Sequence, residues 1–329
     1  MRLEITRVEG RRNDLLLRLD RTELGGALLS VANRDRLMAL PGMPRHREAS
    51  AAEAQGMADA KQPIEAHLER LGVVDGDGQA RGRAIAISNR NLGTNHGHVA
   101  WQRGEHPRLF RILEDPIGAT SASFLAVGSD GAIGIEDFAI DVAGDRLVDA
   151  SGRDAGERLE WATVGQRVVR GGRVTPIEEI AAHFYDVRHV LAFDPKREAG
   201  ERIRQTIYEG YPQTFAANVQ RAWREHGVPR ARYVHNAVGV NATEVIVVQR
   251  DGTIEEIGQA LIDAGADDGV ILDNGGSVVC WVWWANDYRG GIISPTVDYR
   301  PPGTSAIVFE LKGPVKVEMP GGSVSYSTW

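Results

Sequence analysis

Apolar positions along this chain change period several times, and each change marks an element. Arg2 to Val8 and Asp14 to Leu19 alternate or run apolar around a Gly10 to Asn13 turn, which predicts an opening β-hairpin followed by a strand over Gly25 to Val31. Pro41 to Gln62, rich in Ala, Glu, Met and Pro, reads as a surface excursion ending in an amphipathic helix over Ile64 to Leu71. Gly72 to Gly82 is a turn-rich linker, and Ala84 to Ser88, Ala122 to Val127 and Ala132 to Phe138 are short strands. Thr175-Pro176-Ile177-Glu178 combines an N-cap Thr, a Pro at the first helical position and an early Glu, so a helix should start there. Gln213 to His226 places Phe215, Val219, Ala222, Trp223 and His226 on one helical face. Ser305 to Leu311 reads as a buried strand, and Val315 to Ser327 as a closing hairpin around Pro320-Gly321-Gly322.

The stretch from Val245 to Trp284 is the most informative. Glu244 to Gln249 is a β-branched run bounded by the turn pair Asp251-Gly252. Thr253 and Glu256 form a capping box, Ile254, Ile257, Ala260, Leu261 and Ala264 share a face, and Gly265 ends the helix. Val270 to Leu272 makes a second strand, Asp273-Asn274-Gly275-Gly276-Ser277 turns, and Val278 to Trp284 leaves as a third strand. Strands outside this strand-helix-strand unit are joined mostly by turns. The fold class is therefore α+β, a mixed β-sheet with flanking helices, rather than a doubly wound parallel sheet. Residues 1–82 read as an N-terminal hairpin and helical region packed on a main α+β domain over 83–329.

With 329 residues the chain can bury a large core, and a formal charge of −7 with scattered basic residues argues against nucleic acid. Charges are too frequent in MRLEITRVEGRRNDLLLRL for a signal sequence, and no apolar run reaches membrane-span length. The expectation is a soluble, cytoplasmic protein whose partner is a small molecule. The oligomeric state is not legible. Cys280, the single cysteine, lies in an apolar run and reads as a buried, inert thiol.

Asp273 is the leading candidate for chemistry, because a carboxylate at a strand end beside Gly275 and Gly276 can face a cleft; the bland alternative is an Asx-turn cap. Asn236 and Asn274 offer donors and acceptors to sugar hydroxyls, or else satisfy turns. His235 brings a titratable ring, and Ser277, outside any nucleophile elbow, is a ligand-binding or turn-capping hydroxyl. A second polar loop carries Arg90, His96 and His98: an anion-binding Arg or an exposed ion pair, and an H-x-H pair without a third ligand of recognisable spacing. No metal site and no cofactor is assigned, although a divalent metal stays open.

The order of these elements resembles the phosphodiester glycosidase domain family, of the N-acetylglucosamine-1-phosphodiester alpha-N-acetylglucosaminidase type. Leu272-Asp273-Asn274-Gly275-Gly276-Ser277 stands where the family has L-D-G-G-G-S, and Asn236-Ala237-Val238-Gly239-Val240 looks like its R-x-A-x-G segment. The likeness runs from Arg232 to Leu311. It implies a glycosidase-like hydrolase acting on a glycosyl phosphodiester or a related glycosylated small molecule. Asp273 and His235 would be catalytic, and Asn236, Asn274, Gly275, Gly276, Ser277, Arg90, His96 and His98 would bind substrate. Two departures, Asn236 for Arg and Asn274 for Gly, remove the bidentate phosphate anchor and place a side chain in the turn. They keep open a biosynthetic enzyme with changed chemistry, or a noncatalytic carbohydrate- or metabolite-binding protein. Asn274 tolerates a left-handed backbone better than most residues, so the turn itself can survive the change.

Overall fold

The strand patterns assemble into three β-sheets whose inner faces share one apolar core. The computed structural model describes residues 2–6, 14–31, 63–75, 83–89, 99–103, 108–111, 121–141, 144, 146–177, 179–180, 191–194, 197–210, 214–282, 291–292, 305–312, 316–319 and 322–325. In its first half lie β1 (Arg2–Thr6), β2 (Asp14–Asp20), β3 (Leu24–Val31), helix α1 (Ile64–Arg70), β4 (Ala84–Asn89), β5 (Val99–Gln102) and β6 (Arg108–Arg111). There follow β7 (Ser121–Gly128), β8 (Ile133–Asp141), β9 (Arg146–Val148), β10 (Leu159–Val164), β11 (Gln166–Arg170) and β12 (Arg173–Val174). Helices α2 (Glu198–Tyr208) and α3 (Phe215–His226) precede β13 (Tyr233–Val240), β14 (Glu244–Gly252), helix α4 (Ile254–Asp263) and β15 (Asp268–Asn274). The chain closes with β16 (Cys280–Val282), β17 (Gly291–Ile292), β18 (Ser305–Leu311), β19 (Lys316–Met319) and β20 (Gly322–Ser325).

The largest sheet has nine strands in the order β12-β11-β15-β13-β14-β2-β1-β19-β20; a six-stranded sheet runs β6-β5-β10-β7-β8-β9 and a five-stranded one β17-β16-β4-β18-β3. This is the mixed α+β arrangement. Strands β14 and β15 both pair antiparallel with β13, so α4 crosses over β13 between two parallel strands that flank it. The N-terminal strands are woven into the sheets: β2 pairs with β14, and β3 with β18.

Alternation explains the layers. Leu15, Leu17 and Leu19 of β2, Val245 and Val247 of β14, and Val270 and Leu272 of β15 point into the shared core, where Leu29, Ile87, Leu125, Trp161, Cys280 and Phe309 meet them from the other sheets. Trp161 Nε1 donates to Ala27 O at 2.7 Å, and Gln102 Nε2 to Leu29 O at 2.9 Å, tying the six-stranded sheet to β3. The opposite face of the nine-stranded sheet is covered by helices, with Ile246, Ile271, Ile257, Leu261, Ile203, Ile207 and Val219 in one cluster. Helix α1 covers the outer face of the five-stranded sheet, where Ile64 and Leu68 pack with Trp281, Ala306 and Val308. Among the described residues no helix is long and apolar enough to cross a membrane.

Helix α4 is seated by local signals. Thr253 Oγ1 accepts from Glu256 N at 3.3 Å and Glu256 Oε2 accepts from Thr253 N at 3.1 Å, and Gly265 ends the helix at φ 95°. Two boundaries differ from expectation. β14 continues through Asp251 and Gly252, because both pair with β13 at Val234 and Tyr233. The strand after the turn begins only at Cys280, because Val279 is bonded on both sides to Ser88: Val279 N donates to Ser88 Oγ at 3.1 Å and Ser88 N to Val279 O at 3.1 Å. The helix at Pro176 begins where expected, with Ile180 N donating to Pro176 O at 3.0 Å. Thr175, however, does not cap it: its Oγ1 is buried and has no partner among the described residues.

Gly258 lies where α4 rests on β11, and a Cβ there would stand 2.8 Å from Val168 O. Gly258→Ala should therefore lower stability by about 1–3 kcal/mol through overpacking, against the roughly 1 kcal/mol gain that the same change gives in an open helix. Urea unfolding reads the difference, and a raised midpoint would mean that α4 does not sit this tightly. A second expectation concerns pH. Hydrogen bonding to Arg18 holds the Glu244 carboxyl below its ordinary value despite some burial, and hydrogen bonding to Arg232 does the same for Glu256. Folded values below unfolded ones mean that the unfolded chain binds more protons as pH falls through the ordinary carboxylate range, about pH 4–4.5. Stability from these pairs is present above that range and lost below it, and Glu244→Gln should flatten the acid limb of a thermal-melting profile.

Candidate functional site

The turn after β15 is built around a bulge. Asn236 faces Asp273 and His235 faces Asn274, but Ala237 faces Ile271, so Leu272 is the extra residue on β15. A bulge re-aims the side chain that follows it, and here that side chain is Asp273. Its Oδ1 accepts from Asn274 N at 2.7 Å and from Ser277 Oγ at 2.9 Å, and the same hydroxyl lies 3.2 Å from Asn274 O. Asp273 is fully buried, as are Asn236 and His235, and Asn274 and Ser277 are buried too.

Asn274 is not the left-handed residue. It stays extended at φ −149°, and Gly275 takes φ 77° instead, beginning a short 3-10 turn over Gly275–Ser277. Pairing with His235 keeps Asn274 in the ladder, so the reversal passes to the next residue, where glycine adopts it without strain. Nothing lies within 4 Å of where a Gly275 Cβ would be.

Asn236 joins two sheets. Its Nδ2 donates to Ser88 O of β4 at 2.6 Å, and its Oδ1 accepts from Gln249 Nε2 at 3.0 Å. Gln249 Nε2 also reaches Val279 O at 3.1 Å. Nearby, Asn89 Nδ2 donates to Thr163 Oγ1 at 2.8 Å and Ser305 Oγ to Asn89 O at 2.8 Å. A chain of buried polar groups thus runs from β14 through β13 to β4 beside the Asp273 turn. Sequence reading missed Gln249 and Ser88 as members of it. The available signal was a glutamine ending the apolar run Val245 to Val248, since a buried polar residue needs an internal partner.

The structure brings together Asp273, Asn274, Gly275, Gly276, Ser277 and Asn236, whereas His235, the ladder partner of Asn274, lies on the other face of β13, with Ala237. Arg90, His96 and His98 lie outside the described residues, as do Trp283 and Trp284. Trp281 is a core residue packed with Ile64 and Leu68. Burial pushes the Cys280 thiol up to about 12, which removes it as a nucleophile. Among the described residues no three His, Cys, Asp or Glu side chains are grouped to hold a metal.

No family model matches the chain, and no curated protein matches it. Solved structures give distant likenesses. The catalytic domain of zebrafish N-acetylglucosamine-1-phosphodiester alpha-N-acetylglucosaminidase, auto-inhibited by its pro-peptide, is 13% identical at a TM-score of 0.45, over 94% of this chain and 82% of that one. A hypothetical protein from Synechocystis is 12% identical at 0.35, over 94% and 61%. A protein from Burkholderia pseudomallei described as a candidate for export is 12% identical at 0.40, over 91% and 74%. At these scores the likenesses carry no argument about activity.

Removing the Asn236 side chain would leave Ser88 O without its donor and Gln249 with one fewer acceptor, both inside the protein. Asn236→Ala should therefore cost about 2–3 kcal/mol, one to two buried groups left unsatisfied. The urea midpoint of the variant checks this, and a loss below about 0.5 kcal/mol would show that the bridge between the sheets contributes nothing.

Proposed function

We propose that this chain is a hydrolase of the phosphodiester glycosidase type, cleaving a glycosyl phosphodiester or a related glycosylated small molecule at the Asp273 turn. The observation that carries the reading is a buried carboxylate of fixed orientation, held by Ser277 and by Asn274 N on a Gly-containing turn, with Asn236 its partner across the ladder. Glycoside cleavage builds positive charge on the anomeric carbon, and a preorganised carboxylate stabilises that charge without having to reorient. Asp273 takes this role.

His235, on the other face of β13 from Asn236, would reach the leaving group only where the turn opens to substrate. A phosphate leaves as a weak base and needs less proton donation than an alcohol, so a histidine suffices where a second carboxylate is not identified. Gly275 and Gly276 would admit sugar to the backbone, with Asn274 and Ser277 binding hydroxyls. Because position 236 carries Asn and its side chain is spent on Ser88 and Gln249, the phosphate is not anchored from there. A phosphate-free glycoside is accordingly within the proposed class. The complete burial of Asp273 and the structural bonds of Asn236 favour a second reading, a noncatalytic carbohydrate- or metabolite-binding protein.

The test is turnover of a panel of N-acetylglucosamine and glucose phosphodiesters and of phosphate-free glycosides, with and without divalent metal, by wild type and Asp273→Asn of matched melting temperature. Loss of kcat by about 10²–10³-fold, with KM nearly unchanged, is expected. Undiminished turnover in Asp273→Asn sinks the role given to Asp273, and saturable binding without turnover selects the binding-protein reading.

A further inference from the structure

A second polar cluster lies where the chain leaves the six-stranded sheet for the nine-stranded one. Gly165 makes this crossing, with its N donating to Ser123 O at 2.9 Å, and a Cβ there would meet Val270 Cβ at 2.7 Å. Beside it opens a hollow of about 60 Å³, lined by Ser123, Asp137, Gln166, Arg167, Arg170 and Thr175, with Glu179 at its margin. By volume this is room for about two waters, or for one edge of a small ring in their place.

The charges in the hollow are already committed to each other. Arg167 donates from Nε to Val169 O at 2.9 Å and pairs through its two Nη atoms with Asp137, at 3.3 Å, and with Asp268. Arg170 pairs with Asp137 Oδ2 at 2.7 Å and Glu179 Oε1 at 3.1 Å. Ser123 Oγ donates to Asp137 Oδ1 at 2.5 Å. Burial works to raise the Asp137 carboxyl, but the hydrogen bonds from Ser123 and Arg170 and the charges of Arg167 and Arg170 outweigh it and keep Asp137 below the ordinary range, an ionised acceptor. Two groups are left over. Gln166 Oε1 and Thr175 Oγ1, on residues 1% and 2% exposed, line the hollow and have no hydrogen-bond partner among the described residues. Such atoms cost free energy when buried unless something pairs with them.

We infer that this hollow is a binding site for the hydroxyl-bearing edge of a neutral polyol or sugar, separate from the Asp273 turn. An anion is disfavoured, because it would face the carboxylates of Asp137 and Glu179 and the orphaned Gln166 oxygen while both guanidinium groups are neutralised. A cation is disfavoured by those same guanidinium groups. Neutral O–H donors fit: one to Gln166 Oε1, one to the outer lone pairs of Asp137 or Ser123, with Thr175 able to donate or accept. Gln166 pairs with Ile271, two residues before Asp273 on β15, so the hollow adjoins the strand that carries the Asp273 turn. Its lining includes neither Asp273 nor Ser277, and the Asp273→Asn variant tells the two apart.

The experiment is calorimetric titration of the full chain with glycerol and D-glucose, and with inorganic phosphate for comparison. It is run on wild type, Thr175→Val, Gln166→Leu and Asp273→Asn. Thr175→Val and Gln166→Leu remove orphaned atoms and nearly preserve volume, so both should fold with melting temperatures at or above wild type. Saturable binding of glycerol or glucose is expected, weakened about tenfold or more in each of those two variants and unchanged in Asp273→Asn. Phosphate binding in preference to both polyols, no saturable polyol binding, or binding indifferent to Thr175→Val and Gln166→Leu would overturn the assignment.

Discussion

The three strands at the centre of the largest sheet are buried on both faces, and this constrains every polar group they carry. Inward, Val238, Val247, Val270 and Leu272 join the core shared by all three sheets; outward, Ala237, Ile246, Val248 and Ile271 lie under helices. Water is unavailable to side chains there, so a polar residue must find its partner within the protein or cost several kcal/mol. Asn236 meets the demand by bridging to Ser88 and Gln249, and Ser88 meets it by standing in for a ladder residue against Val279. The bulge at Leu272 belongs to the same solution, since it turns Asp273 toward its own backbone and Ser277. What looks in isolation like a turn motif is one edge of a polar seam between two sheets.

Parts of this were legible in the sequence because they are local. The capping box of α4 spans Thr253 to Glu256, its buried face repeats at helical spacing, and Gly265 closes it, so no distant residue is needed to recognise the helix. The hairpins at both ends were readable for the same reason. Helix α2 was not: it has no side-chain N-cap and buries only Gly200, Ile203 and Ile207, too little apolar content to stand out among its charges. Strands β9 to β12 were missed as well: β9 and β12, of three and two residues, give alternation little to repeat, and β10 and β11 are buried almost throughout and do not alternate.

At the candidate site the division is sharper. Asp273, Ser277, Asn236 and His235 were assigned to one site because the family resemblance implied it, whereas Ser88, 148 positions from its partner Asn236, required the register of two different sheets. Asn274 is able to take a left-handed backbone but does not, because its pairing with His235 is a long-range fact that overrides local preference and passes the reversal to Gly275. Thr175 shows the reverse error. A sequence that spells an N-cap describes a hydroxyl close to a helix start, but tertiary packing turned that hydroxyl to the wall of a hollow.

The two polar clusters differ in what their carboxylates can do. Asp137 is locked between two guanidinium groups and a serine hydroxyl. Protonating it would break those pairings, so it is a poor proton carrier and a good fixed acceptor, which suits recognition rather than reaction. Asp273 takes two of its hydrogen bonds from a backbone amide and a hydroxyl, both neutral donors that orient the carboxylate without neutralising it. A carboxylate held in that way keeps its charge available to a positive centre brought against it, and electrostatic stabilisation is strongest where water is excluded. The burial that makes Asp273 hard to reach is also what would make it effective once a substrate displaced its neighbours. A site of this kind therefore works only if the groups around Asp273 yield to the substrate and those around Asp137 do not.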